Sequence, residues 1–235
     1  MRRAIVSLMA LAALGSAVST AMAEQPWTLY DNVRYMSIGD SFAAGKGAIP
    51  VTSGFPYLLY QKGVFGSITN VTFANAAVPG SLSDDVLAWQ VPAAIKSFKP
   101  HVVTVYIGLN DLQKIFGGAN PATVLTKLGQ NMEDILCGLR DGISPSPVVI
   151  VGNLPELPWL TEMNPQVLVV IQQANVIIAG VATSCGAKVA DVYAAFDGRT
   201  GVFLHDRNGA AANEPHPTNL GYRLMAKAFE DAATQ

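Results

Sequence analysis

Five short apolar runs rich in β-branched residues recur along the chain, and longer segments with helical periodicity separate them. Runs of this kind, followed by turns that contain glycine or asparagine, are typical of strands buried on both faces. The predicted strands cover residues 33–38, 71–75, 102–107, 148–152 and 188–191. The predicted helices cover residues 56–62, 83–98, 121–140, 165–185 and 217–233. Residues 45–54 and 193–215 follow neither pattern.

The order of these elements predicts the fold class. Strands that alternate with helices of this length form a mostly parallel sheet with helices packed on both faces. Ligands of such sheets bind outside the carboxyl ends of the strands. Functional residues are therefore expected directly after the predicted strands.

The first 23 residues predict a removable signal peptide. Arg2 and Arg3 precede an apolar run over residues 4–17, and small residues at Ala21 and Ala23 match the positions that a signal peptidase reads. The run is shorter than the roughly 20 apolar residues of a membrane span, and no later segment is predicted to span. We therefore expect cleavage after Ala23, a secreted or periplasmic location, no stable membrane anchor and a single domain over residues 24–235.

Charge and cysteine content exclude several classes of function. The formal charge is −2, which becomes −4 when Arg2 and Arg3 are removed, and no basic cluster indicates a nucleic-acid partner. Half of the residues are hydrophobic and 14% are charged, which argues against disorder. Cys137 and Cys185 form no Cys-x-x-Cys motif, so no metal site is predicted. A disulfide between them and two buried free thiols are both open interpretations.

Three short motifs each follow a successive predicted strand. Ser41 belongs to Ile-Gly-Asp-Ser-Phe after the first, Gly80 to Pro-Gly-Ser after the second, and Asn110 to Gly-Leu-Asn-Asp after the third. A serine at a helix start presents its N–H outward, a glycine lets an N–H approach a ligand, and an asparagine offers an amide donor. Each motif alone is also typical of an ordinary turn or helix cap. Together they predict a site at one edge of the sheet.

A fourth motif places a histidine at the start of the last predicted helix. His216 stands between Pro215 and Pro217, which fixes its backbone and favours a catalytic role. Of the two other histidines, His101 precedes the third strand at the opposite edge and is expected to be structural, and His205 lies in the long unassigned segment. A histidine base with an ordinary pKa near 6.5 predicts activity that rises between about pH 6 and 7.

Serine, glycine, asparagine and histidine in this order resemble the SGNH (GDSL) hydrolase family over about residues 34–229. The resemblance implies a flavodoxin-like three-layer sandwich with about five parallel strands and an esterase that needs no cofactor. It implies that Ser41 is the nucleophile and His216 the general base. The N–H groups of Ser41 and Gly80 and the side chain of Asn110 would form the oxyanion hole.

The sequence departs from the family at the third catalytic residue. The family places an aspartate three residues before the histidine, where this chain has Asn213. We predict that Asn213 orients His216 through its side chain or its backbone carbonyl, with Glu214, Asp206 and Asp191 as alternatives. The Asn213→Asp variant is then expected to have equal or higher activity.

The expected partner is a small-molecule ester, and short-chain acyl or aryl esters are the first choice. Aromatic residues after the strands predict an apolar acyl pocket that includes Phe55, Phe116 and Trp159, although such residues also pack in cores. The resemblance also allows lysophospholipids, thioesters and acetylated sugars as substrates. An exported binding protein without catalysis and a phosphoryl-transfer enzyme are the alternatives of other classes. No oligomeric state is predicted.

Overall fold

A computed structural model of the protein describes residues 30–63, 70–208 and 214–234. Five parallel strands form one sheet in the order β2-β1-β3-β4-β5. This is the flavodoxin-like order, and the predicted fold class is confirmed. The strands are β1 (Val33–Gly39), β2 (Val71–Asn75), β3 (Val102–Tyr106), β4 (Val148–Gly152) and β5 (Lys188–Ala190).

The three central strands are buried almost throughout, whereas β2 and β5 at the sheet edges are partly exposed. Burial on both faces is the reason for their continuous apolar sequences. Chain order reverses between β1 and β3, which are neighbours in the sheet although β2 separates them in sequence. The crevice at such a switch point is where parallel sheets of this type bind ligands.

Eleven α-helical segments occur in the described residues. They are α1 (Ser41–Ala44), α2 (Phe55–Gln61), α3 (Ser83–Asp85), α4 (Val91–Ala93), α5 (Leu109–Phe116), α6 (Pro121–Gly142), α7 (Pro158–Met163), α8 (Gln166–Ser184), α9 (Val192–Phe196), α10 (His205–Asn208) and α11 (Asn219–Thr234). Five short ones, α1, α5, α7, α9 and α10, are absent from the prediction. Two π-helical segments, Val86–Gln90 and Ala94–Phe98, join α3 and α4 into one continuous helical stretch. A 3₁₀ turn covers Val51–Ser53.

The helices cover both faces of the sheet. The pair α6 and α8 packs together on one side, and α11 packs with α2 and α9 against β4 and β5 on the other. Within the described residues, α8 is long and apolar enough to cross a membrane, although no such segment was predicted after residue 23. One face of α8 is buried against the core through residues such as Ile171 and Ile178. Core helices often have this composition, so α8 is weak evidence for a membrane span.

A disulfide connects α6 to the end of α8. Cys137 and Cys185 are bonded, with their Cα atoms 4.9 Å apart. Of the two open interpretations of these cysteines, the structure therefore has the disulfide. The bond closes a loop with a sequence separation of 48 residues.

Replacing both cysteines by serine is expected to lower the free energy of unfolding by about 4 kcal/mol, because the unfolded chain regains the entropy of the open loop. Urea unfolding of the wild type and the double variant measures this difference. Dithiothreitol should bring the wild type to the stability of the variant and leave the variant unchanged. Equal unfolding midpoints of the oxidised wild type and the variant would contradict the expected stabilisation.

Candidate active site

The first loop of the site leaves β1 at a position that requires glycine. Gly39 has φ +139°, and a Cβ atom there would lie 1.9 Å from the carbonyl oxygen of Tyr106. Asp40 then caps α1, because its carboxylate accepts the N–H of Phe42 at 2.9 Å. Ser41 is the first residue of α1, so its own N–H has no acceptor inside the helix.

The hydroxyl of Ser41 meets the imidazole of His216, which comes from the far end of the chain. The Oγ atom of Ser41 lies 2.8 Å from Nε2 of His216, and both residues are buried. An antiparallel bridge between Phe203 and Pro217 and a hydrogen bond from the Leu204 N–H to the His216 carbonyl hold the histidine backbone. A hydroxyl and an imidazole at this distance can exchange a proton.

The other imidazole nitrogen is engaged by a carboxylate. Nδ1 of His216 is hydrogen bonded to Oε1 of Glu214. This bond places the ring proton on Nδ1 and leaves Nε2 free to accept the proton of the serine hydroxyl. Glu214 was an alternative in the prediction, whereas the favoured Asn213 lies outside the described residues.

The two remaining alternatives have other partners. The carboxylate of Asp206 accepts the N–H of Phe203 at 3.3 Å. Asp191 caps α9 by accepting the Ala194 N–H at 3.0 Å, and it also accepts the side-chain amide of Asn153. Among the described carboxylates, Glu214 is the one that contacts His216.

Two further donors come from the loops after β2 and β3. Gly80 has φ +87° in a turn that the Ser81 N–H closes on the Val78 carbonyl at 3.1 Å. Asn110 donates one amide hydrogen to the Ser81 carbonyl at 2.9 Å, which orients the amide and leaves its second hydrogen available. Gly80 and Asn110 line the same cavity as Ser41 and His216. The structure thus brings together the four residues that the motifs predict.

Gln90 supports two of these loops, and the motifs did not reveal it. Its side chain accepts the Gly39 N–H at 2.7 Å and donates to the Gly39 carbonyl at 2.9 Å. Its amide also lies 3.4 Å from the hydroxyl of Ser81, next to Gly80. Gln90 is buried in a π-helical segment, a distortion that often marks functional sites. The sequence signal that could have revealed Gln90 was a polar side chain on the apolar face of the helix predicted over residues 83–98.

A buried polar cluster fixes the start of α5 beside Asn110. The carboxylate of Asp111 accepts the Ser83 hydroxyl at 2.6 Å and the Ser83 N–H at 3.0 Å. Asn131 of α6 donates to the same hydroxyl at 2.8 Å. Burial raises the pKa of Asp111, and the bonds from Ser83 oppose that rise. Because Asp111 follows Asn110 directly in the chain, this cluster fixes the backbone from which the Asn110 side chain extends.

The site opens into a cavity of about 540 Å³ with mostly apolar walls. Phe116 and Trp159 line it, as predicted, and α7 forms one wall. The prediction that Phe55 lines the acyl pocket is wrong, because Phe55 is fully buried in the core and stacks on Phe229. The remaining lining residues are Asp40, Phe42, Lys46, Leu109, Gln113, Leu157, Leu160, Met163, Asn164, Val167 and Pro215, besides those of the catalytic loops.

The other two histidines do not contact Ser41. His101 accepts the Arg34 N–H through Nδ1 at 3.2 Å and stacks on Tyr30, in agreement with a structural role. His205 stacks on Trp159 at the edge of the cavity. Among the described residues, no group of three or more histidines, cysteines or carboxylates is placed to hold a metal ion.

Burial changes the titration of the site. It lowers the pKa of His216 to about 4, and the positive charge of Lys46 acts in the same direction. The contact with the Glu214 carboxylate opposes this lowering, because a negative charge favours the imidazolium. Burial also raises the pKa of Asp40 to about 7, with a smaller contribution from the charge of Asp111. His216 is therefore a neutral base at neutral pH, which differs from the ordinary pKa assumed from the sequence.

The lowered pKa of His216 predicts an acid limb of kcat/KM well below pH 6. Only the neutral imidazole accepts a proton, so activity is complete above this pKa and declines as the pH falls toward about 4. A pH–rate profile with an uncharged ester measures the limb. Asp40→Asn is the control, because Asp40 also titrates near pH 7. A limb of the profile near pH 7 that disappears in this variant would come from Asp40 and not from His216. A limb near pH 6.5 that persists in Asp40→Asn would contradict the expectation.

Comparisons with known proteins agree with this geometry. A family model described as GDSL-like Lipase/Acylhydrolase family matches residues 37–224. Since the match covers more than half of the chain, the protein belongs to this family of hydrolases. The curated proteins contain no sequence match to the chain.

Solved structures share the fold at low sequence identity. An acetylxylan esterase from Geobacillus stearothermophilus aligns with a TM-score of 0.65 and 17% identity, over 86% of this chain and 94% of its own. The protein TesA gives a TM-score of 0.63 and 20% identity, over 83% and 94%. An extracellular lipase from Streptomyces rimosus gives 0.60 and 19%, over 85% and 99%. At these identities the likeness establishes the fold alone.

Proposed function

We propose that the protein is a serine esterase that hydrolyses small carboxylic esters without a cofactor. The observation that carries the proposal is the 2.8 Å contact between Ser41 Oγ and His216 Nε2 at the end of an apolar cavity. Glu214 on the second imidazole nitrogen completes an acid–base–nucleophile arrangement. Membership of a hydrolase family supports the same reaction class.

In the proposed reaction, Ser41 Oγ attacks the ester carbonyl carbon while its proton passes to Nε2 of His216. The carbonyl oxygen becomes negative and accepts hydrogen bonds from the N–H groups of Ser41 and Gly80 and from the Asn110 amide. The C–O bond then breaks, and His216 returns the proton to the leaving alkoxide. Water repeats the sequence on the acyl-enzyme, which releases the acid and regenerates the serine hydroxyl.

The walls of the cavity support an apolar acyl group as the bound portion of the substrate. Leu109, Phe116, Leu157 and Trp159 face a volume of about 540 Å³, which is within the usual range for small-molecule sites. Short-chain acyl or aryl esters fit this space. Lysophospholipids, thioesters and acetylated sugars are alternatives, and acetylxylan esterase activity is a property of one structural neighbour.

A fluorophosphonate probe tests the serine mechanism directly. The wild type is expected to gain one phosphonyl group, detected by intact mass and mapped to Ser41, and Ser41→Ala is expected to remain unlabelled. Rates on p-nitrophenyl acetate, butyrate and octanoate, with acetylated xylo-oligosaccharide as a separate assay, then define the substrate. An unlabelled wild type would contradict the proposal and favour a binding protein, and a labelled Ser41→Ala variant would show that another residue is the nucleophile.

We also propose that residues 1–23 direct export, from their charge and hydrophobic pattern alone; this segment lies outside the described residues. The expected mature N-terminus is Glu24. N-terminal sequencing of protein recovered from the periplasm or the medium tests this expectation. Recovery of the uncleaved chain in the cytoplasm would contradict it.

A further inference from the structure

Lys46 is fixed beside the nucleophile by its backbone. Its N–H donates to the Ser41 carbonyl at 2.9 Å, and its own carbonyl accepts the Tyr222 hydroxyl at 2.6 Å. Gly47 follows so close to the histidine that an added Cβ atom would lie 2.9 Å from Cβ of His216. The Lys46 backbone is therefore held between the start of α1 and α11.

Lys46 is the one lysine or arginine among the described residues that line the cavity, and its charge acts on the nearby imidazole of His216. It is exposed, and no described carboxylate forms an ion pair with it. The nearby acids have other roles: Asp40 caps α1, and Glu214 bonds to His216. Within the part of the chain that the structure describes, Lys46 is thus a cation at the site without an ion-pair partner.

The rest of the cavity contrasts with this charge. Its walls are mainly apolar side chains from α5, α7 and the residue Val167, and its polar atoms belong largely to the catalytic loops. A ligand with an apolar body and one negative group would bury the body and place the charge on Lys46. An ammonium–carboxylate pair partly removed from water is stronger than one on an open surface.

We propose that Lys46 gives the enzyme a preference for esters that carry an anionic group, such as a carboxylate, over neutral esters of the same shape. This inference rests on the proposed esterase function and adds a substrate class to it. The negative group belongs either to the acyl part or to the alcohol part of the ester. The shared chemistry is an anion within reach of the Lys46 ammonium.

Matched pairs of esters test the preference on each side of the scissile bond. The acyl pair is the mono-p-nitrophenyl ester of adipic acid and the p-nitrophenyl ester of its monoamide. The alcohol pair is 3-carboxyphenyl butyrate and 3-carbamoylphenyl butyrate. Each pair exchanges a carboxylate for an uncharged amide of nearly the same size, so the ratio of kcat/KM within a pair isolates the charge. Uncatalysed hydrolysis is subtracted for every ester.

In the wild type, one pair is expected to show a carboxylate-to-amide ratio of roughly 3 to 5 that falls with added salt, as for an ion pair with an exposed lysine. Lys46→Met should bring this ratio close to 1, and Lys46→Glu should bring it below 1. The control is Lys227→Met on α11, an exposed lysine that pairs with Asp231 and does not line the cavity. This control should retain the wild-type ratio.

The outcomes separate the inference from the esterase proposal. If neither pair shows a preference, or if the preference survives in Lys46→Met, the role of Lys46 is overturned while the esterase proposal stands. If neither the carboxylate esters nor the amide esters show hydrolysis that is lost in Ser41→Ala, the esterase proposal itself fails.

Discussion

Replacing either Ser41 or His216 by alanine is expected to lower kcat for ester hydrolysis by about 10⁶-fold. In the proposed mechanism the serine supplies the attacking oxygen and the histidine removes its proton, so neither acts without the other. The double variant should be no slower than either single variant, because the two residues work as a unit. The residual rate above the uncatalysed reaction would come from the oxyanion donors and from substrate binding.

Steady-state rates on p-nitrophenyl butyrate at high enzyme concentration measure this loss. Ser37→Ala is the matched control, because Ser37 is a buried serine of β1, the strand that precedes Ser41, and it does not line the cavity. Its activity should remain near that of the wild type. A Ser41→Ala variant that folds normally and keeps more than a small fraction of its activity would exclude Ser41 as the nucleophile.

Replacing Glu214 by glutamine is expected to lower kcat by roughly 10²- to 10⁴-fold with little change in KM. In the proposed mechanism the carboxylate holds the Nδ1 proton of His216 and stabilises the imidazolium that forms when Ser41 is deprotonated. Glutamine retains the shape but loses the charge, and its NH₂ group can face the ring and favour the wrong tautomer.

Asn213→Ala provides the matched comparison, since Asn213 is the position that the family pattern indicates. If Glu214 orients the histidine, Asn213→Ala should have a kcat close to that of the wild type. A large loss in Asn213→Ala together with an active Glu214→Gln variant would show that the asparagine holds the ring. The pH–rate profile adds an independent measure. Removing the charge of a carboxylate next to His216 shifts the pKa of the imidazole and therefore the pH of the acid limb of kcat/KM, whereas a purely structural change does not shift it.

The strands could be predicted from the sequence almost residue by residue. Burial on both faces makes each of them a continuous apolar run, and a glycine or a polar residue then ends it. The short helices α1, α5, α7 and α9 were missed because four to eight residues carry too little periodicity. Their starts depend on caps and on loop geometry, such as Asp40 before α1 and Asp191 before α9.

The central site residues could also be predicted, since parallel strands bring their carboxyl ends to one edge of the sheet. Ser41, Gly80 and Asn110 each follow such an end. The residue that orients His216 was left open by the sequence: Glu214, one of the alternatives, contacts Nδ1, whereas the favoured Asn213 lies outside the described residues. The path of the backbone before His216 decides which side chain reaches Nδ1. The bridge between Phe203 and Pro217 sets that path, and it leaves no local sequence signal.

Phe55 shows why pocket residues are harder to predict than catalytic ones. Its neighbours Phe229 and Tyr106 come from distant parts of the chain, and only the packing of α2 against α11 turns the ring into the core. Aromatic composition near a site does not distinguish the two environments. Lys46 is the converse case, because nothing in the sequence around it, a lysine between two glycines, indicates that it lines the cavity.

The hydrogen bond between Ser41 and His216 joins residues 175 positions apart in the chain. During synthesis the nucleophile emerges early, and its base emerges only when the last helix is about to be made. Under the proposed mechanism, a growing chain therefore lacks its general base until His216 has been made and has reached Ser41, and prematurely terminated products are expected to lack the esterase activity.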